Sequence, residues 1–142
     1  MKKYQDIAIL LLRLATGANF LSAVASRLGF WSKAAGGGDW KSFLAYTAEV
    51  NSFAPAGMIP FLAVAATSLE IFFAILLIVG YKTRWAALGA SLLTFVFALA
   101  MTYSFGIKSP FDYSVFVDCA SAFLLFTMPS YRWSLDEKLS KR

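Results

Sequence analysis

Three ionisable side chains stand inside apolar runs, and their types suit proton exchange. Glu70 sits at the centre of the run from Met58 to Val79. Arg13 interrupts the first run, Ile7 to about Leu28, and Asp118 lies in the last. A charge at mid-membrane is costly, so it faces other helices or water rather than lipid. A carboxyl group can take up and release a proton, and Arg offers five donors in a planar fork that can bridge two carboxylates. At about 1.5 Å of rise per residue, Glu70 and Asp118 both lie roughly 15 Å from the end carrying the termini, and Arg13 about 10 Å. The expectation is one buried site of Arg13, Glu70 and Asp118, with Thr67 beside Glu70 and with Ser114 and Ser121 on the face of Asp118. It would bind a ligand or exchange protons; the competing reading is an ion network that fixes helix register.

The elements that must position these residues follow from length and hydropathy. The chain has 142 residues, 59% hydrophobic and only 15% charged, where soluble domains carry about 25% charged residues. That composition specifies a single integral membrane domain over residues 1–142. Four apolar runs, at about 6–28, 58–79, 85–105 and 110–128, are each long enough to span a bilayer as a helix. Ser109, Pro110 and Asp112 read as the N-cap, first residue and capping box of the last. The expected fold is all-α: a four-helix membrane bundle of up-down topology, with a short amphipathic helix at about 39–52 in the first loop. Asp39 is its expected N-cap, and Trp40, Phe43, Leu44, Thr47 and Val50 recur at helical spacing. That helix would lie on the membrane surface, plug the bundle end, or pack on its own bundle.

Faces sort in the same way. Ala63, Ala66, Thr67, Glu70 and Ala74 form a small-residue stripe, as do Ala87, Ser91, Thr94 and Ala98, and such stripes let helices approach closely in lipid. Arg13 shares a face with Thr16, Gly17 and Phe20, while Asn19 points to a different neighbour. Four spans place both termini and the Lys82/Arg84 hairpin on one side. That side carries eight Lys and Arg, and the other carries four: Arg27, Lys33, Lys41 and Lys108. The positive-inside rule makes the first side cytoplasmic. A secretory signal is a poor reading of the first run, because Arg13 breaks its apolar stretch after six residues.

Absences narrow the chemistry. With no His and one Cys, the usual haem and metal ligand and any internal disulfide are missing, so neither haem nor metal is expected. Cys119 lies in an apolar run and reads as a small buried hydrophobe. The charge of +5 reads as topology charge, so no nucleic-acid partner is expected.

The residues Leu12-Arg13-Leu14 with Gly17 and Phe20, Ser68-Leu69-Glu70, the hairpin from Val79 to Ala86, and Asp118 appear in an order that resembles the DoxX family of small four-helix membrane proteins. The resemblance covers nearly the whole chain. It implies a four-helix transmembrane bundle in the plasma (inner) membrane. Relatives of the DoxD type are linked to thiosulfate:quinone oxidoreductase as membrane subunits, and others to membrane-associated oxidative-stress complexes. This chain is shorter than the DoxD-type subunits and has no extra domain for sulfur chemistry. The expected function is a membrane subunit of a redox system, with quinone as the candidate cofactor at the Arg/Glu/Asp site. The alternatives are a non-catalytic anchor for a redox or oxidative-stress enzyme and a small-solute or proton transporter. Expected partners are the bilayer, a soluble or membrane redox protein and a second copy of the chain; whether the chain is itself an enzyme stays open.

Overall fold

The apolar runs form helices because each residue's backbone polar groups are then satisfied within its own segment, which lipid requires. The computed structural model describes residues 2–31 and 33–141, and among them there is no strand. The α-helices are α1 (Lys2–Arg27), α2 (Trp40–Val50), α3 (Ile59–Val79), α4 (Thr83–Phe105), α5 (Lys108–Asp112), α6 (Val115–Phe126) and α7 (Leu135–Ser140). Three stretches, Lys3–Arg27, Ala56–Val79 and Thr83–Phe105, are long and apolar enough to cross a membrane, and Val115–Phe126 is a shorter apolar helix. Large apolar side chains point outward along them, among them Phe61, Phe72, Trp85, Leu92 and Val96. A soluble surface does not carry apolar area on that scale, whereas a lipid-facing one does.

The interior is built from small residues. Ala63, Thr67, Glu70 and Ala74 of α3 and Ala87, Ser91, Thr94 and Ala98 of α4 are buried, as their stripes specify. α1 and α3 run antiparallel and touch at Gly17, where an added Cβ would come within 2.7 Å of Ile78 and 3.1 Å of the Ala74 carbonyl. Only a glycine permits that approach.

α2 closes one end of the molecule. Asp39 caps it through a box with Ser42, and Thr47 and Val50 are buried. Ser104 of α4 donates to the Val50 carbonyl at 2.6 Å and shares a 2.8 Å hydrogen bond with Ser52. The loop helix therefore packs on its own bundle, at the end of α4 far from the termini.

The last apolar run is not one helix. α5 begins at Lys108, before the expected Ser109 cap, and its N-cap Ile107 makes no side-chain bond. Asp112 pairs with Lys108 at 2.5 Å instead of closing a capping box. Ser114 then adopts a left-handed conformation, φ 57°, and α6 starts after it. No right-handed helix continues through such a residue.

At the opposite end the chain closes on itself. Gly80, with φ 75°, ends α3; its own carbonyl accepts from the Asp136 amide at 2.9 Å. The Asp136 carboxylate accepts from the amides of Lys82 and Thr83, both at 2.7 Å. It thus caps the start of α4, whose own N-cap Lys82 has no side-chain bond to offer. A Cβ at Gly80 would lie 2.9 Å from Ser134 Cα, so the residues before α7 press directly on the hairpin. The first turns of α1, the α3–α4 hairpin and the C-terminal segment share this end.

Candidate functional site

Arg27 pairs with Glu70, a contact the sequence reading missed. Its Nη1 bonds Glu70 Oε2 and its Nη2 donates to Oε1 at 3.0 Å. Nη1 also donates to Thr67 Oγ1 at 3.3 Å. Phe43 of α2 covers the guanidinium, its ring centroid 4.1 Å from Cζ. Glu70 is 2% exposed. A fork on a carboxylate, backed by a hydroxyl and an aromatic face, is a buried pair with most of its donors used.

The expected convergence of Arg13, Glu70 and Asp118 does not form. Arg13 is 1% exposed, but it donates to the Trp133 carbonyl at 2.8 Å and to the Arg132 carbonyl at 3.5 Å. Asp118 accepts from Asn19 at 3.2 Å; Asn19's different neighbour is thus Asp118. The reason is directional. A Cα–Cβ bond on a helix tilts toward its N-terminus. Arg13 therefore leans toward the terminal end of the molecule, away from Glu70. Arg27, on the same helix, leans back into the bundle. Glu70 runs the other way on α3 and leans up to meet it. Register adds to this: Arg13 Nη1 lies beside Gly80, at the very end of α3.

The other expected residues are placed as follows. Thr67 is buried and belongs to the Arg27–Glu70 cluster. Ser114 is exposed at the α5–α6 break, and its carbonyl accepts from the Asp118 amide at 3.0 Å. Ser121 is half-buried one turn beyond Asp118 on α6. Arg27 escaped notice because it ends an apolar run, where cations normally belong to the loop. The available signal was its position: the last turn of a helix whose side chains point back into the membrane.

A cavity of about 450 Å³ opens beside the ion pair. Arg27, Glu70, Thr47 and Asn51 supply its polar lining, Tyr46 and Tyr113 add phenols, and side chains of α3 and α4 such as Leu69 and Phe97 make the rest apolar. The α5–α6 break borders this space through Tyr113 and Val115.

The DoxX family model matches residues 8–103, more than half of the sequence. The chain belongs to the DoxX family. Comparison with curated proteins and with solved structures gave no match. The DoxX match takes in Arg13, Arg27, Thr67, Glu70 and all of α2, and stops short of Asp118 and the C-terminal segment. DoxX membership and the three apolar helices identify a membrane protein, and the membership points to a redox-related kind.

Proposed function

We propose that this DoxX protein is a membrane subunit of a redox system and that it binds a quinone, or a similar lipid-soluble redox molecule, over the Arg27–Glu70 pair. The observation that carries this is the cavity of about 450 Å³, which joins one ion pair to mainly apolar walls. A quinone has that polarity: two carbonyl oxygens on a ring and a long apolar tail. Arg27 keeps N–H groups beyond those spent on Glu70 and Thr67, and these suit a carbonyl acceptor. Glu70 is the group placed to exchange a proton as the ring oxygen gains or loses one. The tail would lie against Leu62, Leu69, Leu93 and Phe97. Electrons come from a partner protein, since one Cys and no His leave this chain without an internal redox pair or the usual histidine haem ligand.

The same proposal includes four spans in the plasma membrane with both termini cytoplasmic, α5 and α6 together making the fourth. Eight Lys and Arg belong to the terminal side. With Arg27 drawn into the bundle, only Lys33, Lys41 and Lys108 belong to the other. Cysteines at positions 41 and 141, labelled from outside the cell, test this: reagent should reach the first and miss the second.

The binding test is titration of purified protein with a short-tailed quinone, read by tryptophan fluorescence. Wild type should show saturable quenching, and Arg27→Gln and Glu70→Gln should lose it while keeping their helical circular dichroism. Equal quenching in all three proteins would remove quinone from this site.

A further inference from the structure

The other flank of α1 carries a second cavity of opposite character. It holds about 460 Å³ and is lined by Asn19, Ser22, Ala23, Ser26, Trp31 and Gly36. Asn19, Ser22 and Ser26 are three and four residues apart, so they form one polar stripe up the helix. The stripe rises about 10 Å from Asn19 to Ser26, toward the loop where Trp31 and Gly36 stand. That loop folds back over it: Trp31 Nε1 donates to the Ser22 carbonyl at 3.2 Å and the Gly38 amide to Ser26 Oγ at 3.3 Å.

Asp118 lies at the foot of this stripe, held by Asn19. The adjacent Cys119 carbonyl accepts from Ser91 Oγ at 3.0 Å, which sets Asp118 beside the middle of α4. Across α1 the group that meets it is Asn19; beside it on α6, the Cys119 thiol lies 3.5 Å from the Ser91 hydroxyl of α4. Among the described residues no cation lies within ion-pair distance of Asp118; the ion pairs use Glu70, Asp112, Asp6 and Glu137. Glu70 has its guanidinium, whereas Asp118 has the Asn19 amide, and Asn19 itself lines the polar cavity. Lipid cannot solvate such a carboxyl group, so water or a proton must.

We infer that the Asn19–Ser22–Ser26 cavity is a hydrated half-channel leading from the loop-side aqueous phase to Asp118. The carboxylate takes a proton from hydronium in that channel, leaving water, and returns it by the reverse step. Asn19 holds the carboxylate at the channel foot, and the two serine hydroxyls carry the water chain. The inference rests on the membrane-spanning reading and not on the ligand of the apolar cavity, with which it shares Ala23 as a lining residue.

Sealed vesicles of the wild-type protein, treated from the loop side with a water-soluble carbodiimide and a hydrophilic amine, should carry the adduct on Asp118 and leave Glu70 free, by peptide mass spectrometry. Modification of Asp118 only by a lipid-soluble carbodiimide would mean that it faces lipid. Modification by neither would mean that another protein chain covers it. Either result overturns the half-channel. Independently, in a Cys119→Ser background, Ser22→Cys and Ser26→Cys should react with an impermeant maleimide at close to the rate of Lys41→Cys. If both react as slowly as Leu21→Cys on the lipid face, the cavity is dry and the inference falls.

Discussion

Arg13 and Arg27 stand fourteen residues apart on nearly the same face of α1, about 21 Å along its axis. Both are drawn into the protein, yet their partners differ in kind. Arg13 meets carbonyls of the C-terminal segment, neutral groups held by Asp136, Ser134 and the hairpin. Nothing about that environment needs to change. Arg27 meets a carboxylate, beside a cavity, under an aromatic ring. A guanidinium on backbone carbonyls fastens chain segments together. A guanidinium on a carboxylate forms a pair whose charge balance a ligand or a proton can alter. Under the proposed function, the difference gives Arg13 a part in architecture and Arg27 a part in chemistry.

The sharpest way to break that distinction is at Arg27. Arg27→Leu should destabilise the protein by about 3–5 kcal/mol, because it leaves Glu70 buried without its cation. Arg27→Leu with Glu70→Leu should recover most of the loss, since replacing both halves of a buried pair can be nearly neutral. Both variants should lose quinone binding. Thermal unfolding in detergent measures the coupling; additive losses would mean that the two residues are not partners.

Arg13→Leu comes next, at about 3 kcal/mol for losing a charged hydrogen bond and orphaning the Trp133 carbonyl. Here Glu70→Leu should give no rescue, and the double variant should be additive to within about 0.5 kcal/mol. Quinone binding should persist in the folded fraction. Rescue by Glu70→Leu would join the two arginines into one site after all.

The long helices were legible because apolar runs of about twenty residues admit few other structures, and Glu70 and Asp118 were legible because a carboxylate in such a run demands a reason. Pairing was not legible. It depended on which way each side chain leans and on the register of α1 against α3, which Gly17 sets by its contact with Ala74 and Ile78. The C-terminal segment was invisible for a different cause. Its role is carried by backbone groups at Gly80, Lys82 and Thr83, and backbone groups leave no signature in composition. The break at Ser114 was hidden as well, because serine carries no sign of a left-handed conformation as glycine does.

A smaller effect probes the fastening itself. Asp136→Ala removes the acceptor of the Lys82 and Thr83 amides at the start of α4 and should cost about 1–2 kcal/mol, the range for losing a helix cap. Unlike Arg27→Leu it should leave ligand affinity intact. A lost affinity would show that the hairpin end communicates with the cavity.

The smallest expected effect is a response of that fastening to acid. Glu137 accepts from the Lys141 ammonium at 2.8 Å and from the Trp133 amide at 2.8 Å. These bonds, the ammonium first, hold its carboxyl below the usual glutamate range. A depressed carboxyl contributes stability that is complete above its unfolded pKa, about 4.3, and disappears as pH falls through the lower folded value. The C-terminal segment should therefore loosen modestly as pH falls below about 4. Arg13 should retain its bond to the Trp133 carbonyl, which does not titrate. Amide exchange across residues 131–141 reads this directly. Glu137→Gln should raise exchange near neutral pH and flatten its pH dependence relative to wild type. If wild type and Glu137→Gln loosen identically with acid, Glu137 has no part in the fastening, and Arg13 and Asp136 hold the segment without it.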